Sequence, residues 1–101
     1  MVDDGIKEET KKKILGLLLA LFPGAKIYLY GSRARGTHRE RSDIDLAIAW
    51  NNKENERLPL GEARSILEAT HIPYKIDLVD FNTVSSPLKE IIQQEGKLWN
   101  L

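Results

Sequence analysis

The stretch Lys26-Ile27-Tyr28-Leu29-Tyr30-Gly31-Ser32, followed after ten residues by Asp43-Ile44-Asp45-Leu46-Ala47-Ile48, decides the fold. Lys26 to Tyr30 mixes β-branched, aromatic and aliphatic side chains and predicts a strand. Ile44, Leu46 and Ile48 recur at every second position and predict another strand with one apolar face. Residues two apart on a strand share a face, so Asp43 and Asp45 project together while Ile44 and Leu46 point to the core. Their Cα atoms are then roughly 6.6 Å apart. Carboxylates at that spacing suit a pair of divalent ions about 3.5–4 Å apart that also bind substrate phosphate. All-oxygen ligands favour Mg2+ or Mn2+ over zinc. Between the strands, Gly31 lets the backbone approach a ligand closely, and Ser32 offers a hydroxyl beside free N–H groups at the start of a turn or short helix. Arg33, Arg35, Arg39 and Arg41 follow, so a phosphate-receptive edge adjoins a metal-receptive one.

Working outward, residues 6–22 predict a helix, with Ile14, Leu15, Leu18, Leu19 and Phe22 at helical spacing and Pro23-Gly24 as its stop. Asn51 to Arg57 is polar and predicts a loop. Leu58 to Thr70 predicts a helix with Pro59 near its start, and Tyr74 to Phe81 a third strand. A last helix is expected from Ser86 as N-cap, with Pro87 in its first turn, to about Gly96. The order is α-β-β-α-β-α, an α/β (α+β) domain with a small mixed sheet of about three strands flanked by helices. Asp77 lies within the otherwise apolar run Ile76-Asp77-Leu78-Val79, where an unpaired charge is costly, and a cation shared with Asp43 and Asp45 would relieve it. Asp80, beside Asn82, suits a turn instead.

At 101 residues and 11.5 kDa the chain suits one domain spanning residues 1–101. Its 15 basic and 15 acidic residues cancel, which counts against a protein that grips long nucleic-acid backbones. The lack of cysteine removes disulfides, thiolate nucleophiles and Cys-based zinc sites, and His38 and His71 are too few for a His-rich metal cage. No run reaches the roughly 20 apolar residues of a membrane span, and the acidic N-terminus is wrong for a signal peptide. A cytoplasmic protein with no membrane association is expected.

Each signal has a plainer reading. A lone DxD is more often a surface pair, a Gly-Ser turn merely a turn, four arginines a solvated loop, and Asp77 a buried acid satisfied by a backbone N–H. Their order and spacing in one small chain are less easily dismissed. Gly31 to Gly36 together with Ser42-Asp43-Ile44-Asp45-Leu46 resembles the GSx10DxD signature of the DNA-polymerase-β-like nucleotidyltransferases. The short length and the acid-bearing strand Lys75-Ile76-Asp77-Leu78-Val79 resemble their minimal nucleotidyltransferase (MNT) branch. The resemblance runs from the first helix to the Gly96-Lys97-Leu98-Trp99 tail.

That resemblance implies that Gly31 and Ser32 hold the β- and γ-phosphates of a nucleoside triphosphate, ATP above all. It implies that Asp43 and Asp45 bind two Mg2+ ions (Mn2+ as the alternative) with Asp77 completing the inner shell. An acceptor hydroxyl would attack the α-phosphorus, with Asp77 aiding its deprotonation, and pyrophosphate would leave. Arg33, and after it Arg35, Arg39 or Arg41, would neutralise the triphosphate. So short a chain offers little wall for an acceptor, so another polypeptide is expected to supply it. MNT proteins resemble the antitoxin halves of HEPN/MNT toxin–antitoxin pairs, which implies transfer of AMP to a tyrosine of a HEPN ribonuclease toxin. The alternatives are an antitoxin that acts by contact alone and a small-molecule, antibiotic-type nucleotidyltransferase. Trp50 and Trp99 would either form a partner surface or cap the core, and Tyr28, Tyr30 and Tyr74 line core or pocket.

Overall fold

The computed structural model describes residues 3–50 and 58–100, so the loop expected at 51–57 lies outside the described residues. The elements run α1 (Glu8–Leu21), β1 (Lys26–Tyr30), α2 (Ser32–Arg35), β2 (Ile44–Ala49), α3 (Leu60–Ala69), β3 (Ile76–Asp80), α4 (Ser86–Glu95) and β4 (Lys97–Leu98). The expected α/β architecture is present with two additions. Residues 32–35 wind into a single helical turn, and the tail adds a short fourth strand.

The sheet order is β3-β2-β1-β4. β1 is antiparallel to both β2 and β4, while β2 and β3 are parallel. The long connection that a parallel pair requires contains α3. Register aligns Ile27 with Ile48, Leu29 with Leu46, and Leu46 with Leu78. These side chains share one face, packed on Ile14, Leu18 and Phe22 of α1 and on Ala63 and Leu67 of α3. Burying each such aliphatic side chain contributes about 1.5–3 kcal/mol, so this layer is the main source of stability.

The opposite face carries Tyr28, Tyr30, Ala47 and Val79, and Ile92, Leu88 and Val84 from α4 and the segment before it cover them. Asp45 and Asp77 stand on this second face because they alternate with Leu46 and Leu78. The sheet thus carries its acids on the face opposite its principal core.

Both tryptophans pack on that core. Trp99 is buried with the Lys11 ammonium over its ring, and Trp50 sits edge-on to Phe22 and donates its indole N–H to the Pro23 carbonyl at 2.9 Å. Ser85, one residue before the expected position, is the N-cap of α4.

Candidate active site

Alternation on β2 and pairing with its neighbours assemble the acids. Tyr30 of β1 is the register partner of Asp45 on β2, and Asp45 is the partner of Asp77 on β3. A row Tyr30–Asp45–Asp77 therefore crosses three strands on one face. Asp43 precedes β2 by one residue on the same face. The Ile44 N–H donates to the Lys75 carbonyl at 2.9 Å, which places Lys75 beside Asp43, with Lys75 Nζ 4.0 Å from Asp43 Oδ2.

Asp77 is exposed and Asp45 half-buried. The expectation that Asp77 suffers an unpaired charge inside apolar surroundings therefore needs correction: β3 is an edge strand, and its acid reaches water. What Asp77 does is electrostatic. The Asp45 carboxyl is held above the ordinary carboxylate range, first by burial, then by the charges of Asp77 and Asp43, with Arg35 acting in the opposite direction. Burial, Asp45 and Asp77 push the Tyr30 phenol up to about 12, so it stays protonated.

Gly31 packs directly against this row. Its φ of +77° and ψ of −155° lie where side chains are strongly disfavoured, and a Cβ there would stand 2.5 Å from Asp45 Oδ2. Only glycine lets the backbone turn this tightly over the carboxylate. The Gly31 carbonyl accepts from the Ala34 and Arg35 N–H groups, both at 3.1 Å, which starts α2 at Ser32.

Arg33, expected to neutralise a triphosphate, is placed otherwise. Its side chain is buried (1% exposed), and its guanidinium donates to the carbonyls of Asp4 (2.8 Å), Glu40 (3.2 Å) and Ser42 (2.9 and 3.1 Å) while stacking over Tyr74 at 4.9 Å. It is a clasp that ties α2 to the residue before Asp43 and so fixes the distance between the two halves of the motif. Arg35 is exposed at the site together with Lys75, and its Nη1 lies 3.0 Å from Glu95 Oε2 at the end of α4. Arg39 and Arg41 are exposed in the following loop. Glu95 and Lys75 carry no sequence signal of a site role, and Tyr30 reads from sequence only as a core or pocket side chain. Glu95 is 60 positions from Arg35, and no local pattern announces that pairing.

The carboxylate donors suit hard divalent cations, and the field that raises Asp45 is one that a cation would relieve. Among the described residues no three acidic or histidine side chains already close into a metal cage, so the acids share a face and a field and not a finished coordination sphere. The described residues also contain no helix long and apolar enough to cross a membrane.

The family model described as "Polymerase beta, Nucleotidyltransferase" matches residues 17–99. The protein adenylyltransferase MntA of Shewanella oneidensis is 29% identical over 96 residues, which are 93% of this chain and 68% of that one. A crystal structure of a toxin–antitoxin with AMP-PNP superposes with a TM-score of 0.74 at 31% identity, covering 89% of this chain and 72% of that one. A tri-AMPylated Shewanella oneidensis HEPN toxin in complex with MNT antitoxin gives a TM-score of 0.70 at 26% identity, over 94% and 72% of the respective chains.

Proposed function

The chain belongs to the polymerase-β-type nucleotidyltransferase family, and from that premise we propose that it is an antitoxin-type protein adenylyltransferase. It transfers AMP from ATP to a hydroxyl, a tyrosine's first among the candidates, of a HEPN-type toxin. The observation that carries this reading is the convergence of Asp43, Asp45 and Asp77 on one sheet face against a glycine with no room for a side chain.

In this reading Gly31 and Ser32 seat the β- and γ-phosphates, and Arg35, in place of Arg33, adds positive charge to the triphosphate. Asp43, Asp45 and Asp77 hold divalent cations, Mg2+ first. Bound there, such ions supply the positive charge that stabilises the phosphates as negative charge builds on them. Asp77, exposed on the edge strand, accepts the proton of the acceptor hydroxyl. The hydroxyl oxygen bonds to the α-phosphorus, the bond to the β-phosphate's bridging oxygen breaks, and pyrophosphate departs. Arg33 holds the loop that keeps Ser32 and Asp43 in mutual position.

Incubating the chain with ATP, Mg2+ and the protein encoded beside it, followed by mass spectrometry of both, tests the reading. Adenylylated partner is expected from the intact chain and none from the Asp43→Ala/Asp45→Ala double variant. If that variant still neutralises the partner in full, neutralisation occurs by contact and catalysis is dispensable.

A further inference from the structure

We propose that Glu95 is a positioning residue for the nucleotide: it aims the Arg35 guanidinium at the triphosphate tail, so that the site favours a nucleoside triphosphate over a monophosphate. This deepens the adenylyltransferase reading above and rests on it.

Both ends of the pair stand on fixed backbone. Arg35 closes α2, and its N–H donates at 3.1 Å to the carbonyl of Gly31, the glycine that packs on Asp45. The two residues before it, Arg33 and Ala34, are buried, which pins the turn to the body of the protein. Glu95 closes α4. Ile92, one turn earlier and buried, packs with Ala47 and with Tyr30, the residue before Gly31. The chain leaves the helix directly after Glu95, where a Cβ on Gly96 would strike the Ile92 carbonyl oxygen. The ends of α2 and α4 therefore meet beside the acidic row, although 60 residues separate the two side chains.

The ion pair itself is open, with Arg35 46% and Glu95 33% exposed at the side chain. A pair so exposed adds little to stability. Its effect is on direction. An arginine loses rotamer freedom when it grips a ligand, and a partner that already holds it removes part of that loss from the binding step. The guanidinium presents its N–H donors as a planar fork. Nη1 is given to Glu95 at 3.0 Å, and among the described residues no acceptor takes Nε or Nη2. A carboxylate on one side of the fork leaves the other side to phosphate oxygens. The Arg35 charge already reaches the row, where it opposes the rise of the Asp45 carboxyl. A triphosphate seated at Gly31 and Ser32 brings its β- and γ-phosphates to this fork, and a 5′-monophosphate has neither. A carboxylate that only masked Arg35 would act in the opposite sense, since its removal would release the cation and tighten binding.

The test is calorimetric titration, in Mg2+, of a non-hydrolysable ATP analogue and separately of 5′-AMP. The chains compared are the intact protein, Glu95→Ala, Glu95→Gln, Arg35→Ala and the Arg35→Ala/Glu95→Ala double variant. Glutamine keeps an oxygen to accept the Nη1 bond and loses only the charge. Glu95→Ala is expected to bind the analogue about three- to tenfold more weakly and 5′-AMP within about twofold of the intact chain. Glu95→Gln should restore binding of the analogue. In the Arg35→Ala background the change at 95 should have no further effect, because Glu95 acts through Arg35. Unchanged or tighter binding of the analogue by Glu95→Ala overturns the proposal. So does an equal loss for 5′-AMP, which would mark a structural change, and so does failure of glutamine to rescue or an additive loss in the double variant. Each of these results leaves nucleotide binding by the intact chain in place. An intact chain that binds no nucleotide removes the adenylyltransferase reading itself, and the role of Glu95 with it.

Discussion

Gly31 and Asp45 form the tightest constraint in the molecule. Alanine at 31 would meet Asp45 Oδ2 at 2.5 Å from a backbone conformation with φ of +77°. The conformational strain alone costs about 1–3 kcal/mol, and relief of the clash displaces the carboxylate. Gly31→Ala should therefore lower the urea midpoint modestly and AMP transfer far more; a variant with the full single-turnover rate would show that the close approach is not needed. Asp45 itself should trade stability for function. Its carboxyl titrates above the ordinary range, so between that range and its own the folded chain binds more protons than the unfolded one. This contribution favours the metal-free fold as pH falls through the window and is lost as pH rises. Asp45→Asn should accordingly raise the melting temperature at neutral pH in the presence of a chelator and abolish transfer. A lower melting temperature would mean that the carboxylate makes a stabilising contact outweighing the repulsion.

At the scale of elements, legibility followed the range of the interactions that define each one. β1 has the bounds expected from its alternation, because Lys26 to Tyr30 declares its pattern within five residues. α2 is a four-residue turn with no period to read, and it forms because the Gly31 carbonyl and Gly36 in the left-handed region define its ends. β4 has two residues and is held by groups distant in sequence. The Trp99 N–H donates to the Ile27 carbonyl at 2.8 Å, and the Asn100 side chain then copies a strand, accepting from the Ile27 N–H and donating to the Ala25 carbonyl, both at 2.8 Å. Gly96 allows the turn into β4, since a Cβ there would collide with the Ile92 carbonyl oxygen. Arg33 departs from its sequence expectation for the same reason. Its spacing after Gly31-Ser32 suggests phosphate, but the carbonyls of Asp4, Glu40 and Ser42 that claim it come together only in the folded chain. Asn100→Ala leaves two backbone groups of β1 and its approach without partners, at about 1–3 kcal/mol each if water does not replace them. Hydrogen exchange should accelerate first at Ile27; unchanged protection there would mean that water or Trp99 suffices to close the edge.

Taken as a whole, the described molecule is a one-sided enzyme scaffold. α1 and α3 cover one sheet face, and α4 covers the part of the other that bears Tyr28, Ala47 and Val79, leaving the acidic end to solvent with Arg35 and Lys75 at its rim. The charge balance of 15 against 15 conceals this separation, since the acids of the sheet face are concentrated where a cation and a triphosphate would neutralise them. Ligand binding should then appear as a global stabilisation, because the acids sit on three strands of one cooperative sheet. At about 100 times its dissociation constant, magnesium with a non-hydrolysable ATP analogue adds about 2.7 kcal/mol. For a domain of this size that moves the melting temperature by roughly 10–20 °C. Mg2+ alone should move it less, since the nucleotide supplies part of the cation's shell and the phosphate contacts to Gly31 and Ser32. The Asp43→Ala/Asp45→Ala variant should show no shift with the pair of ligands at the same concentrations. An equal shift in that variant would place the nucleotide away from the acidic row and remove the physical basis for transfer there.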